Sequence, residues 1–282
     1  MCRWLAYSGQ PIFMNRLLFE PQNSLINQSL QCRKGVVATN GDGFGVGWYG
    51  AKNIPGLYRD IRPAWNDDNL RSLAEQIEAR QFFAHVRAST GTATSRVNCH
   101  PFRWGKYLFM HNGKIGGYES VRRTLEFQIR EDLYPAREGS TDSELFFYLL
   151  IGHGLEADPV GAFSRAVGDI EAAMIRHGVG DPLRISCAVS DGERLYALRH
   201  SSDSQSPSLY YGVGGCITVE DGSCRFTQGD GSVLVLSEPL DTGGTENWHA
   251  VGESQLITVL DGHVEVTDFT PRATTKFEQA AE

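Results

Sequence analysis

No basic run interrupts this chain of 282 residues, and its formal net charge is −8. A surface that grips phosphates needs clustered Lys and Arg, so nucleic acid is not an expected partner. An unbroken apolar stretch of about 18 residues is also missing, which excludes the expectation of a membrane span. Arg3 and polar residues break up the N-terminus, and no hydrophobic region of a signal peptide follows. Cysteine is sparse: six in the chain, at 2, 32, 99, 187, 216 and 224, without CxxC spacing. That pattern reads as the reduced thiols of a cytoplasmic protein, not as a disulfide framework. Zinc-ligand spacing is absent too. Cys99 and His100 are adjacent, a poor geometry for two ligands of one ion, and no metal or other cofactor is expected. Neither an internal repeat nor βαβα alternation is present, so a doubly wound sheet is not expected.

What the chain does contain is many short strand patterns, alternating or rich in β-branched and aromatic residues and bounded by turn residues. They fall at 3–8, 43–49, 81–87, 107–111, 185–190, 194–199, 208–213, 232–237, 256–260 and 263–267. Helical patterns interrupt them. Leu70, Leu73 and Ile77 share one face of the first. Thr141 and Glu144 have the spacing of a capping box at the second. Asp158, Pro159 and Gly178 punctuate the third, with the stripe Val160, Phe163, Val167, Ile170 and Met174 between them. This order suits two mainly antiparallel sheets with helices packed outside, in a single domain over 1–270 with a polar tail at 271–282. Stretches 11–35, 88–106 and 200–207 read as loops long enough to be functional.

Each motif has a bland reading beside a chemical one. "GVGWYG" (45–50) matches a dinucleotide fingerprint in letters only, because Pro55 and Gly56 follow where a helix is required. The longer "NGDGFGVGWYG" places glycines on alternate positions, leaving one strand face bare for something to approach closely. Arg87, at the end of "AHVRAST", is a surface residue or a bidentate grip on a carboxylate. Asn112-Gly113 is a turn signal, or an Asn side chain and a Gly N–H aimed at one developing negative charge. Asp142 sits in the first turn of a capped helix, favoured there by the dipole or placed to accept an ammonium group.

Taken together, "MCRWL", "GDGFGVGW", "HVRAST", "HPF" (100–102), "HNG", "STDSE" and "SEPL" (237–240) resemble the class II glutamine amidotransferases. The resemblance is greatest to the stand-alone bacterial subgroup that includes the γ-glutamyl hydrolase of ergothioneine biosynthesis. It implies the N-terminal-nucleophile (Ntn) hydrolase fold, an α+β four-layer αββα sandwich. It further implies that removal of Met1 exposes Cys2 as nucleophile, with its own α-amine as base. An α-amine has a pKa of about 7.7–8.0, so a sizeable fraction is free base near neutrality. By the same resemblance Arg87, helped by Thr90, binds the substrate α-carboxylate, Asp142 the α-ammonium, and Asn112 with Gly113 forms the oxyanion hole. The expected reaction is hydrolysis of the side-chain amide of glutamine or a γ-glutamyl conjugate, a small-molecule substrate. Two other outcomes stay open: a glutaminase subunit delivering ammonia to a separate synthetase partner, and a non-catalytic γ-glutamyl-binding protein. A Cys–His pair using His85 or His111 is the rival mechanism.

Overall fold

The computed structural model describes residues 2–30, 39–89, 93–229, 231–241 and 247–274. Met1, Cys32, Thr90 and the tail beyond 274 lie outside the described residues. The first half runs β1 (Arg3–Phe13), α1 (Asn15–Leu18), α2 (Leu25–Leu30), β2 (Phe44–Tyr49), β3 (Gly56–Asp60), α3 (Asp68–Gln76) and β4 (Glu78–Val86). It continues through β5 (Phe102–Trp104), β6 (Tyr107–Lys114), α4 (Tyr118–Glu126), α5 (Asp142–Gly152) and α6 (Pro159–Arg176). The second half is all strand: β7 (Arg184–Ser190), β8 (Leu195–Ser201), β9 (Tyr210–Gly214), β10 (Ile217–Glu220) and β11 (Ser223–Phe226). The last four are β12 (Ser232–Leu236), β13 (His249–Ala250), β14 (Gln255–Leu260) and β15 (His263–Asp268).

Seven strands form one large sheet in the order β13-β9-β12-β1-β4-β2-β3, six form a second, β15-β14-β8-β7-β6-β5, and β10 and β11 pair separately as a two-stranded ribbon. The paired strands are antiparallel throughout. Successive side chains of a strand face opposite ways. In β1, Trp4 and Ala6 accordingly enter the layer between the sheets, with Leu108, Met110, Val233 and Val235. Leu5 and Tyr7 enter a second core, shared with α1, α2 and α3 residues such as Leu17, Leu25 and Leu70. A third core joins β6 and β7 to α4, α5 and α6 through Phe109, Phe146 and Phe163. Three apolar layers between four of secondary structure make the αββα sandwich. Each fully buried aliphatic or aromatic side chain in them contributes roughly 1.5–3 kcal/mol.

The helix signals act locally as their chemistry requires, with three exceptions, the first being Ile77, which lies just past the end of α3 in extended conformation. Asp158 accepts from the Gly161 N–H (3.0 Å) and Gly178 ends α6 at φ 64°. Val160, in the first turn, is 46% exposed, while Phe163, Val167, Ile170 and Met174 are buried. Thr141 caps α5 by accepting from the Glu144 N–H (3.2 Å). The Glu144 carboxylate does not close the box; it accepts from the N–H groups of Glu138 (3.0 Å) and Gly139 (2.7 Å). The stretch 11–35 is not one loop. β1 continues to Phe13 through a register shift between Ser8 and Ile12 that accommodates Pro11, and α1 and α2 follow. A bulge is where a strand tolerates a residue with no N–H. At the other end of the chain, the Arg272 N–H donates to Ser164 O and the Thr274 N–H to Asp169 Oδ1, so 272–274 dock on α6.

Candidate active site

A cavity of about 520 Å³ opens where β1 begins, β4 ends, β6 ends and α5 starts, and Cys2, Arg87, Gly113 and Asp142 line it. Antiparallel pairing explains half of this convergence. Arg3 is in register with Val86, so the residue before β1 meets the residue after β4. β6 brings Gly113 from the facing sheet, and α5 presents Asp142 in its first turn.

Cys2 is held from several sides. Its Sγ accepts the Ala88 N–H (3.3 Å), and its carbonyl oxygen accepts from Asn112 Nδ2 (2.8 Å) and Arg3 Nη1 (3.1 Å). Arg3 Nε in turn donates to Glu238 Oε2 (3.0 Å), with both side chains almost wholly buried. Ser237 clips the next residue, its Oγ accepting from the Trp4 N–H (3.0 Å) and its own N–H donating to Trp4 O (3.0 Å). The "SEPL" segment is thus the clamp of the first strand. Removing one partner of such a buried pair costs about 3–5 kcal/mol. Burial pushes the Cys2 thiol above its ordinary pKa, opposed by the Ala88 N–H and the Arg87 charge.

Arg87 is 3% exposed and lies along a loop that its own contacts shape. Nη1 donates to Asp42 O (3.4 Å) and Nη2 to Ser89 Oγ (3.3 Å), while Asp42 Oδ2 accepts the Ser89 N–H (2.7 Å). Asp142 Oδ2 accepts the Ile115 N–H (2.8 Å) and Oδ1 the Ser143 N–H (2.8 Å), which fixes the carboxylate against the end of β6. Gly113 has φ 150°, and a Cβ there would lie 1.9 Å from Arg184 O. Only glycine fits.

Three histidines back the cavity. His111 and His100 line it, and His85 packs against His100 with ring centroids 4.3 Å apart. His111 Nδ1 shares a hydrogen bond with Ser143 Oγ (2.9 Å). Among the described residues the ring nitrogens of His85 and His100 make no well-formed hydrogen bond. Desolvation lowers all three pKa values, that of His85 to about 3, with the Arg87 charge adding to the effect there. The bare face of β2 admits this cluster: a Cβ on Gly45 would sit 2.3 Å from His100 O and one on Gly43 2.6 Å from Cys99 Sγ. What approaches the glycines closely is the chain's own 99–101 segment. β3, not a helix, follows "GVGWYG".

Four of the six residues singled out from sequence therefore line one cavity, and Thr90 lies outside the described residues. Asn112 is placed differently from expectation. It is buried beside the cavity without lining it, and its Nδ2 donates to the Cys2 carbonyl, leaving the second N–H of that nitrogen as its remaining donor. Asp42, Glu238 and Ser143 were not singled out as site residues. Each nevertheless lies in a quoted motif: Asp42 in "GDGFGVGW", Ser143 in "STDSE" and Glu238 in "SEPL". Among the described residues no group of three or more His, Cys, Asp or Glu is placed to hold a metal ion. No described helix is long and apolar enough to cross a membrane.

The family model described as glutamine amidotransferases class-II matches residues 19–282. The chain belongs to the class II glutamine amidotransferase family. Among its relatives in this family is the probable glutamine amidotransferase DUG3 of Saccharomyces cerevisiae, 34% identical over 92% of this chain and 82% of that protein. Another is the gamma-glutamyl-hercynylcysteine sulfoxide hydrolase of Mycolicibacterium smegmatis, 28% identical over 95% of this chain and 99% of that one. A solved class II domain protein from Silicibacter pomeroyi superposes with TM-score 0.72 at 36% identity, over 96% of this chain and 100% of its own. The glutamine phosphoribosylpyrophosphate amidotransferase of Bacillus subtilis shares the fold at 13% identity, TM-score 0.60, over 96% of this chain and 50% of its own. The class II amidotransferase sandwich described above is therefore an Ntn-hydrolase fold.

Proposed function

We propose that this protein hydrolyses the side-chain amide of glutamine or a γ-glutamyl conjugate through a thioester on Cys2. The observation that carries the reading is the convergence of Cys2, Arg87, Gly113 and Asp142 on one cavity: a nucleophile beside an opposed pair of charges. Arg87 and Asp142 match the α-carboxylate and α-ammonium of the glutamyl group. With Met1 removed, the α-amine of Cys2 takes the thiol proton and Sγ attacks the γ-carbonyl carbon. The Gly113 N–H and the second N–H of Asn112 Nδ2 receive the developing oxyanion. The C–N bond breaks, the amine departs with the proton, and water then cleaves the thioester to release glutamate and free thiol.

The histidines do not supply the base. His111 Nδ1 is engaged by Ser143, and the desolvated His85, with its pKa near 3, is a poor proton acceptor at neutral pH. The test is to prepare the chain with Cys2 as first residue and again with a retained residue before it, and to measure glutamate release from glutamine and γ-glutamyl amides. Only the first should turn over. Equal activity in both would return the mechanism to a Cys–His pair.

A further inference from the structure

The end of the sandwich away from Cys2 carries a second cavity, of about 570 Å³, which the reaction proposed above does not use. That volume lies within the ~300–1,000 Å³ of small-molecule sites. An interruption of regular pairing shapes one wall. β1 loses register with β4 between Ser8 and Ile12, so Arg80 stands opposite the bulge with no partner in the ladder. A bulge re-aims side chains. Here the consecutive residues Arg80 and Gln81, which a regular strand would send to opposite faces, both line the cavity. The facing sheet contributes the turns after β7 and β14, with Glu193 and Asp261.

Gln81 is the buried member of this lining, 3% exposed. Its Oε1 accepts from Ser190 Oγ (2.9 Å), and that hydroxyl itself accepts the Gly192 N–H (3.0 Å). The amide is thereby fixed with Nε2 on the side away from Ser190, and Nε2 has no hydrogen-bond partner among the described residues. An unmet buried donor is costly, and an acceptor brought into the cavity relieves that cost. A single water would serve Gln81 but would leave the charges unexplained. Arg80 belongs to the seven-stranded sheet, Glu193 and Asp261 to turns of the six-stranded one. None of the three makes a side-chain hydrogen bond or ion pair among the described residues. Opposite charges thus stand on opposite walls without neutralising each other. We infer that this cavity binds a zwitterion, a free α-amino acid or a short peptide. Arg80 and the Gln81 amide take its carboxylate, Glu193 and Asp261 its ammonium. Two acids against one base, on a chain of net charge −8, disfavour a phosphate or other polyanion. The three charges are exposed to water, so binding is weak, with Kd on the order of 0.1–10 mM. The site is independent of the γ-glutamyl reading, and its ligand is not turned over there.

The experiment is a protein-observed NMR titration of the full chain with L-alanine and, separately, with L-alanyl-L-alanine. Saturable shifts are expected at the Gln81 side-chain NH2 and the Gly192 N–H. Blocking one end of the ligand, as in N-acetyl-L-alanine or L-alaninamide, should weaken binding about three- to tenfold, the range of partly exposed charge contacts. Arg80→Gln should weaken L-alanine by as much and leave L-alaninamide, which has no carboxylate, unchanged. The double variant Glu193→Gln/Asp261→Asn should weaken L-alanine and leave N-acetyl-L-alanine unchanged. All three side chains are exposed, so unfolding midpoints near wild type are expected. Saturation by either ligand supports the inference, and the tighter of the two says whether the cavity suits free amino acids or peptides. No saturable shift with either at tens of millimolar overturns it. So do equal affinities for blocked and unblocked ligands, and shifts confined to the Ala88 N–H and its surroundings beside Cys2.

Discussion

Two cavities of nearly equal size occupy opposite ends of the sandwich, and only one has the makings of a catalyst. The larger, about 570 Å³, is lined by Ser8, Gln10, Arg80, Glu193, Asp261 and neighbouring glycines. β1 connects it to the smaller one, since Cys2 and Ser8 are about 20 Å apart at ~3.3 Å per residue. At the Ser8 end the lining comes from β1, β4 and the β7–β8 and β14–β15 hairpins, and Arg80, Glu193 and Asp261 are exposed to water. At the Cys2 end Arg87 is nearly buried, Asp142 is anchored by two backbone N–H groups, and the histidines are desolvated. A charge screened by water attracts weakly, whereas one in a low-dielectric wall attracts strongly. Volume alone does not make the site; desolvated, hydrogen-bonded charge beside a nucleophile does.

The largest expected effect tests the nucleophile. Cys2→Ser should cut glutamate release by more than about a thousandfold with the fold intact, because the hydroxyl is the poorer nucleophile here. Steady-state assay with circular dichroism reads both. Wild-type turnover would leave the Cys2 end no better than the Ser8 end.

Next comes Asn112→Ala, which should lower kcat by about 10²–10³ and spare KM if its second N–H faces an oxyanion formed only after attack. A change confined to KM would mean that Asn112 only holds the Cys2 carbonyl. Arg87→Lys and Asp142→Asn should behave oppositely. Their contacts exist in ground and transition states alike, so KM for γ-glutamyl substrates should rise about ten- to a hundredfold, more than kcat falls. Initial-rate curves for both variants decide this, and an unmoved KM in Arg87→Lys would argue against an α-amino acid ligand.

A smaller effect concerns pH and stability. His85 is depressed from 6.5 to about 3 by burial, so between those values the unfolded chain binds a proton that the folded one refuses. Stability should therefore fall as pH drops from about 6.5 towards 3, by up to about 1.4 kcal/mol per unit from this residue. His100 is depressed in the same direction. Urea unfolding across that window should show a shallower decline in His85→Gln than in wild type. The smallest expectation completes the comparison: Arg80→Ala, at the other cavity, should change kcat/KM by less than about twofold. A larger loss would make the two ends functionally linked.

Most strands and the helices α3, α5 and α6 were legible because their signals are local. Alternation in β1, the Thr141 and Asp158 caps and the glycine spacing of β2 each act within a few residues. Less legible were β3, β5 and the β10–β11 hairpin, short elements that gain their order from neighbours in the sheet or the outer core. α4 was missed as well. Gly117 starts it in a left-handed conformation with no side-chain cap, so no Ser, Thr, Asp or Asn marked its beginning.

By itself the amino-acid sequence determined the order of the elements, the patterns that bury three apolar layers, and the chemical types available: a cysteine near the start, an arginine, an aspartate and an Asn-Gly pair. Tertiary structure alone decided what each of them touches. Asn112 meets the Cys2 carbonyl across 110 residues, and Arg3 meets Glu238 across 235. His100 reaches the cavity because β2 leaves it room. Such partnerships depend on sheet register and on the stacking of two sheets, which bring together groups remote in the chain, whereas caps, turns and alternation are settled by forces between near neighbours.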